Sequence, residues 1–170
     1  MPSPHDQAGL PFRLQLLRPD HAVALLAFER ENRSYFAASV PDRGDRYFAD
    51  FGARHRALLA EQATGGCLFH VLVSAADDEV LGRVNLVDVA DGSAELGYRI
   101  AERAAGRGLA TSAVREVCGL AGAEYGLTTL TAVTTLDNAG SRAVLARTGF
   151  VPAGETEVDG RPGLRFVRNL

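Results

Sequence analysis

The sequence lacks features that several classes of protein require. It contains no lysine and no tryptophan, and its formal net charge is −3 at pH 7. All 18 basic residues are therefore arginines, and no run of them is longer than two residues. A nucleic-acid groove needs clustered cations, so binding to nucleic acid is not expected.

Cysteine and long apolar runs are equally scarce. The two cysteines, Cys67 and Cys118, lie in apolar contexts and form no Cys-x-x-Cys motif, so we expect buried reduced thiols and no metal site. No apolar run approaches the ~18 residues that span a bilayer, and the N-terminal segment has no signal-peptide pattern. These absences predict a soluble, cytoplasmic protein without membrane contact.

What is present indicates a single domain over residues 1–170. The hydrophobic fraction is 46% and the charged fraction is 23%, which are near the averages for globular proteins. The chain is long enough to bury a core without disulfides. Residues 1–11 are rich in proline and glycine and are expected to be flexible.

The hydrophobic pattern predicts strands that alternate with helices. The expected strands cover residues 12–18, 67–75, 80–90, 93–101 and 127–135, followed by a C-terminal hairpin. Asp91–Gly92 and Asp159–Gly160 are the expected hairpin turns. The expected helices cover about 20–32, 45–62, the stretch from the glycine loop to about 125, and 138–148. This order predicts an α/β fold with one central mixed, mostly antiparallel sheet and helices on both faces.

Two glycines precede the third predicted helix. Gly106 and Gly108 lie one residue apart between a strand and that helix, and small residues follow them. A helix N-terminus presents free N–H groups and a partial positive charge, and glycine lets a phosphate approach the backbone. The alternative is a tight turn without a ligand. No Lys-Ser/Thr follows, and Thr111 stands where a dinucleotide fingerprint has its third glycine, so neither of those motifs is present.

Four motifs in order resemble those of one family. They are Glu-Leu-Gly-Tyr at 95–98, Gly-Arg-Gly-Leu-Ala-Thr at 106–111, Asn-x-x-Ser at 138–141 and Thr-Gly-Phe at 148–150. This series resembles the GNAT N-acetyltransferase superfamily, and within it the ribosomal-protein alanine N-acetyltransferases. The resemblance covers most of residues 12–168 and is closest over the coenzyme-binding core at 94–151. Ala105 departs from the family, which usually has Gln or Arg there.

The resemblance implies that acetyl-CoA is the cofactor and that no metal takes part. Its pyrophosphate would rest on six backbone N–H groups of the glycine loop and helix start: Arg107, Gly108, Leu109, Ala110, Thr111 and Ser112. In the family, the strand matching Tyr98, Arg99 and Ile100 bulges and frees an N–H for the thioester. The matching Asn138 would bind the pantetheine arm, and Ser141 would protonate the leaving thiolate.

Several of these residues also have simpler interpretations. Asn138 is a good helix cap, and Ser141 fits an ordinary first-turn position. Glu95 is the candidate base, because strand alternation places it on one face with Gly97 and Arg99. Its alternative role is an ion pair with Arg83 or Arg99. Leu145 stands where many superfamily members carry a catalytic tyrosine, which favours the serine-containing subgroup.

The N-terminal half carries fewer signals. Tyr35 and Phe36 lie where this fold shapes its acceptor cleft, and packing of these rings on the core is the alternative. His70 lies mid-strand and is predicted to be a core residue, whereas His5, His21 and His55 are predicted to lie on the surface. We expect none of the histidines to be catalytic.

The predicted function is transfer of the acetyl group of acetyl-CoA to a primary amine by direct attack in a ternary complex. The preferred acceptor is the N-terminal amine of a protein or peptide. A small-molecule amine, such as a polyamine, an antibiotic or an amino-acid derivative, is the alternative within the enzyme class. A non-catalytic acyl-CoA-binding module is the alternative outside it. The oligomeric state is left open, and a homodimer is compatible with the sequence.

Overall fold

A seven-stranded mixed sheet organises the chain in the computed structural model, which describes residues 10–170. Its strands, in chain order, are β1 Phe12–Leu16, β2 Leu68–Ser74, β3 Val80–Ala90, β4 Ser93–Ile100, β5 Thr129–Thr135, β6 Val151–Val158 and β7 Arg161–Asn169. The spatial order is β1-β2-β3-β4-β5-β7-β6. The β4–β5 pair is parallel and the other five pairs are antiparallel, which confirms the predicted fold class.

Six helices cover the sheet. They are α1 Ala22–Glu31, α2 Arg33–Ala37, α3 Asp45–Ala49, α4 Phe51–Ala63, α5 Leu109–Ala123 and α6 Ala139–Arg147. The single helix predicted over 45–62 is divided at Asp50, whose φ of −100° and ψ of 17° are not helical. The segment 33–37, which was not predicted to be helical, forms α2. In residues 10–170 no helix is long and apolar enough to cross a membrane.

The two faces of the sheet carry separate apolar clusters. On one face, α1 and α2 contribute Leu25, Phe28 and Phe36, and the side chains of β2 pack against them. On the other face, α5 contributes Ala113, Val114, Val117, Cys118 and Ala121, which pack against β3, β4 and β5. Helices on both faces were predicted, and the two clusters show which helices cover each face.

Two of the hairpin turns follow directly from their sequences. Asp91–Gly92 joins β3 to β4 with φ values of 52° and 76°, and Asp159–Gly160 joins β6 to β7 with φ values of 51° and 75°. Two consecutive positive φ angles match the right-handed twist of the flanking strands, and Asp-Gly is the pair that accepts them at least cost. Both predicted turns are confirmed.

The histidines are more buried than predicted. His70 is a core residue as predicted, but His21 and His55 are only 6% and 4% exposed, so the surface prediction for these two is wrong. His21 is satisfied because the Arg18 backbone N–H donates to its Nδ1 at 3.0 Å, and His55 Nε2 donates to the Arg18 carbonyl oxygen at 2.9 Å. Partners from the β1–α1 connection therefore make burial tolerable. His5 lies outside the described residues.

The parallel pair β4–β5 is short, and this positions the site. Ser93, Ala94 and Glu95 pair with Thr129, Leu130 and Thr131, and no further pairs join these strands in the described part of the chain. Both strands continue, β4 to Ile100 and β5 to Thr135. They therefore separate into a gap near the middle of the sheet, which leaves alternate backbone N–H and C=O groups of residues 96–100 without a strand partner on that side.

Candidate active site

A groove of about 550 Å³ occupies the gap between β4 and β5. Its walls come from β4 residues 96–100, from the loop and helix start at 104–111, from α6 at 138–147 and from the segment 35–41 across the sheet. Because α5 and α2 lie on opposite faces, the groove passes through the sheet at the gap. Two molecules entering from opposite faces can meet beside the free edge of β4.

The glycine loop ends at the groove, where it begins helix α5. Gly108 caps α5 in the left-handed conformation, with φ 73° and ψ 9°, and makes no side-chain cap hydrogen bond. A Cβ at Gly106 or Gly108 would meet no heavy atom within 4 Å, so the space beside the backbone is open. The first-turn N–H groups of Leu109, Ala110 and Thr111 precede the first intrahelical hydrogen bond and point outward. A pyrophosphate fits this cradle.

Two residues of the expected phosphate site, Arg107 and Ser112, do not have the positions that the resemblance implies. The Ser112 N–H already donates to the Gly108 carbonyl oxygen at 3.0 Å, so it is not free for a ligand. Arg107 is exposed, and neither residue is among the described residues that line the groove. Position 112 is the fourth of the helix, where the intrahelical ladder begins, and this explains why its amide is occupied.

The expected bulge in β4 is absent from the described strand. Residues 95–100 pair with β3 in unbroken register, from Val87↔Glu95 to Gly82↔Ile100, and the register shift lies between Val87 and Ala90. Free backbone groups arise instead from the separation of β4 and β5. Tyr98, Arg99 and Ile100 therefore line the groove along a regular strand edge.

Asn138, Ser141 and Tyr98 meet at the start of α6. Asn138 is the helix cap, and its Oδ1 accepts the Ser141 N–H at 3.1 Å. The Ser141 side chain forms a hydrogen bond with the Tyr98 phenol. Burial raises the pKa of Tyr98, and the bond to Ser141 opposes that rise. All three residues line the groove, so two hydroxyl groups and one amide converge beside the gap.

Glu95 lies at the end of the gap. It is the last β4 residue paired with β5, opposite Thr131, and it is half-buried. It is not among the described residues that line the groove. The ion pair suggested as its alternative role is not formed, because the guanidiniums of Arg83 and Arg99 bind another carboxylate, that of Glu29.

Glu29 is the centre of a charged cluster that sequence reasoning missed. Its side chain is 1% exposed, and its two oxygens lie 3.2 Å from Arg83 Nη1 and 3.3 Å from Arg99 Nη1. Arg43 Nε lies 3.5 Å from the same carboxylate. Glu29 falls at helical spacing from Leu25 on the buried face of α1, and this apolar-face position was the available signal.

Tyr35 and Phe36 take different positions in the groove wall formed by the segment 35–41. Tyr35 is 40% exposed and lines the groove. Phe36 also lines it, but its buried ring packs on Phe28 at 5.5 Å between centroids and lies 4.9 Å beneath the Arg99 guanidinium. Both interpretations of Phe36 therefore hold, since one ring forms part of the core and part of the groove wall.

A mixed sheet that opens beside a glycine-led helix, with a groove reaching both faces, defines the class of acyl-CoA-dependent transferases. The chain belongs to the acetyltransferase (GNAT) domain family, whose model matches residues 12–151. The probable N-acetyltransferase YjcK of Bacillus subtilis (strain 168) is 31% identical over 134 residues, which are 76% of this chain and 74% of that protein.

Solved structures with the same fold agree. Ribosomal-protein-S5-alanine acetyltransferase from Vibrio fischeri superposes with a TM-score of 0.87 at 20% identity, covering 94% of this chain and 93% of that one. Mycobacterium smegmatis RimJ, solved in complex with CoA-disulfide, gives 0.82 at 26% identity, covering 94% and 85%. The predicted family, fold and cofactor are confirmed: the protein is an N-acetyltransferase that uses acetyl-CoA.

Proposed function

We propose that the protein acetylates the N-terminal amine of a protein or peptide by direct attack in a ternary complex. The observation that carries this proposal is the groove that passes through the sheet from the N-terminus of α5 to the exposed segment at 35–41. Acetyl-CoA supplies the thioester from the α5 side, and the amine approaches from the other. The two structural relatives named above, an S5-alanine acetyltransferase and RimJ, support a protein acceptor.

The charge of the groove argues against a polyamine acceptor. Among the described residues, the charged side chains that line it are Arg99, Arg147 and Arg161, the last of which is paired with Asp137, and one acid, Asp159. A polycation would meet like charge there, which costs affinity. The overall charge of −3 does not describe this surface, because local groups decide what a groove attracts. A single amine on an otherwise uncharged or acidic chain fits better.

In this proposal, backbone groups hold the cofactor. The N–H groups of Gly108, Leu109, Ala110 and Thr111 bind the pyrophosphate, and the free edge of β4 at 98–100 binds the acyl arm. Asn138 serves both as cap and as a contact for the arm, since an amide has hydrogen-bonding capacity beyond one accepted N–H. Holding two substrates in one gap supplies much of the rate by proximity.

Glu95 and Ser141 are proposed for the proton transfers. An α-amino group has a pKa near ~8, so it is largely protonated at neutral pH and needs a base. Glu95, at the closed end of the gap, takes that proton through water. Ser141 protonates the leaving thiolate, and its bond to the Tyr98 phenol keeps its hydroxyl oriented in the groove.

The test is release of free thiol from acetyl-CoA with a panel of peptides and of small amines. We expect turnover with peptides that have a free N-terminus, addition of one acetyl group by mass spectrometry, and no turnover when that N-terminus is blocked. Glu95→Gln should lower kcat roughly 100-fold or more, as removal of a general base does. Turnover with small amines alone would replace the peptide acceptor. CoA binding without turnover on any amine would identify a binding module.

The location is proposed to be the cytoplasm. Cys67 and Cys118 are both buried and free, as predicted, and they belong to the apolar clusters on opposite faces of the sheet. Unpaired thiols are typical of reducing compartments.

A further inference from the structure

The Glu29 cluster holds more positive than negative charge beside the groove. One buried carboxylate faces the three guanidiniums of Arg43, Arg83 and Arg99. The neighbouring acids do not supply the missing charge, because Asp42 and Asp45 are both bound to Arg33. Arg43 and Arg99 are 29% and 22% exposed, so water or a ligand anion can approach the positive charge that Glu29 does not neutralise.

Arg99 is the member of this cluster that reaches the groove. Its side chain is 22% exposed and lines the groove wall, whereas Arg83 is buried. It gives one nitrogen, Nη1, to Glu29, and its plane lies over the Phe36 ring. A guanidinium carries five N–H donors, so most of those on Arg99 are available to a further acceptor. Its position is fixed from two sides before any ligand binds.

Of the two cavities that Arg99 lines, only the groove has room for a ligand. The cavity on its other side, lined by Glu29, Arg33 and Arg43 among others, measures about 10 Å³, which is room for about one water. Burial, and then the neighbouring Arg43, lower the pKa of Arg99 from its ordinary value, as expected for a cation in want of a counter-ion. An anion in the groove would relieve that charge.

The position of Arg99 separates it from the cofactor phosphates. Its side chain lies on the α1–α2 face of the sheet, against Glu29 and Phe36, while the glycine loop begins α5 on the opposite face. Along β4 it stands two residues, about 7 Å, from Gly97, where the strand edge is bare. An anion held at Arg99 would therefore belong to the acceptor, within one or two residues of its amine.

We infer that the Arg99 side chain binds a carboxylate of the acceptor, so that the preferred protein N-terminus carries an acidic residue at its first or second position. This inference rests on the proposed function and names the substrate class of the same site. The backbone of Arg99 still lines the acyl-arm edge, because backbone and side chain act on different partners. Glu29 is a positioning residue that holds the fork of Arg99 in place.

The experiment compares peptides that differ by one charge. Pairs with Asp or Asn at position one, and at position two, are assayed with acetyl-CoA and also titrated calorimetrically into the CoA-bound protein. Free amino acids and their α-amides form a second arm, in which the carboxylate comes from the main chain. We expect the acidic peptide of at least one pair to show roughly tenfold higher kcat/KM and affinity, as one charge-assisted hydrogen-bonded pair would give.

Two variants and a matched control locate the effect. Arg99→Gln should bring the ratio of kcat/KM between the Asp and Asn peptides to about one, whatever its effect on the rate with either peptide alone. Arg99→Lys should keep part of that ratio. Arg30→Gln removes the same charge from an exposed position on α1 next to Glu29 and should keep the full preference. If Arg99→Gln does not fold, the peptide pairs assayed on the wild-type protein still show whether an acidic residue is preferred, and Arg99→Lys shows whether Arg99 is responsible.

Each outcome separates the inference from the proposed function. Acetylation of Asp and Asn peptides at equal rates would overturn the inference and leave the peptide acceptor in place. Acid preference that persists in Arg99→Gln would also overturn it. Selective use of free amino acids over their amides, without use of peptides, would keep the carboxylate site and overturn the peptide acceptor. Binding and turnover of neither group would overturn both.

Discussion

At the scale of the residue, glycine at position 108 serves the fold, and in the proposed phosphate site it also serves the ligand. Its φ of 73° lies in the left-handed region, where an L-side chain costs about 1–2 kcal/mol. The space where its Cβ would stand is open, so the cost to stability is conformational and involves no clash. In the proposed site, the phosphate approaches the backbone through the same open space. The two roles therefore predict two separate effects of one methyl group.

Gly108→Ala should raise the KM for acetyl-CoA roughly tenfold, since the loss of one hydrogen bond to a charged group costs about 1.5–3 kcal/mol. Its free energy of unfolding should fall by about 1 kcal/mol. Gly126→Ala is the matched control, because Gly126 has φ 66° and equally open surroundings but does not line the groove. Steady-state kinetics and urea unfolding measure both. An unchanged KM in Gly108→Ala would contradict the phosphate site.

At the scale of the element, β2 and the end of α5 are joined by a buried histidine. His70 Nδ1 donates to the Val84 carbonyl oxygen at 3.0 Å, so Nε2 is the acceptor for the Tyr125 hydroxyl at 2.7 Å. Burial lowers the pKa of His70 from 6.5 to about 4. In this neutral tautomer both ring nitrogens and the Tyr125 hydroxyl have hydrogen-bond partners. A proton on Nε2 would remove the acceptor of Tyr125 and bury a charge.

This arrangement predicts acid-sensitive stability. Between pH 6.5 and 4, His70 is protonated in the unfolded chain but stays neutral in the folded protein. The free energy of unfolding therefore falls as the pH drops from 6.5 towards 4. At about 1.4 kcal/mol per pH unit the loss reaches roughly 3 kcal/mol, and it is absent above pH 6.5. His21, whose pKa burial also lowers, adds a contribution of the same sign. Urea unfolding at pH 7 and pH 5 measures the slope.

Two variants test whether His70 causes this pH dependence of the free energy of unfolding. His70→Gln should flatten it, because the titrating group is gone, whatever its effect on stability at pH 7. Tyr125→Phe removes the hydroxyl but leaves His70 buried, so it should lower stability by about 1 kcal/mol at both pH values and keep the slope. Parallel pH curves for the wild type and His70→Gln would show that His70 does not titrate in this range.

Element boundaries show what local sequence predicts and what it does not. Both Asp-Gly turns and the start of α5 were predicted, because their residues favour the positive φ angles that these positions require. The break at Asp50 was missed, because Tyr47 and Phe51 continue a helical apolar pattern across it into the same core. The bulge in β4 was expected by resemblance, but the backbone groups are freed by the partner strand. Which strand lies beside β4 is a long-range property that no local pattern encodes.

Charged pairs were the hardest part of the site to predict. Arg83 and Arg99 lie 54 and 70 residues from Glu29 in the chain, and their pairing depends on how α1 packs on the sheet. Sequence alternation placed Arg99 on the correct face together with Glu95, but it offered no means to choose between the two acids. The apolar surroundings of Glu29 determine which acid pairs with Arg99, because a buried carboxylate needs a cationic partner.

At the scale of the whole molecule, the separation of β4 from β5 divides the sheet around the groove. Strands β1–β4 lie on one side of the gap and β5, β7 and β6 on the other, and they are joined along only three paired positions. The groove walls include residues from both sides. A ligand in the gap therefore replaces missing strand contacts, and its binding energy adds to the stability of the whole domain.

Hydrogen exchange should show this directly. With CoA at about 100 times its Kd, the domain should gain roughly 3 kcal/mol in unfolding free energy, and the local effect should exceed the global one at two places. The amides of 96–100 gain an acceptor along the strand edge, and those of 109–111 gain the pyrophosphate, so hydrogen exchange in both segments should slow.

The exposed edge strand β6 is the internal control, because its residues 151–157 lie on the surface and outside the groove. CoA should therefore leave their local opening unchanged. Slowing at 109–111 without any change at 96–100 would mean that CoA forms no hydrogen bonds with the backbone of β4. The gap between β4 and β5 would then hold the acyl arm by side chains, and the free strand edge would have no part in binding.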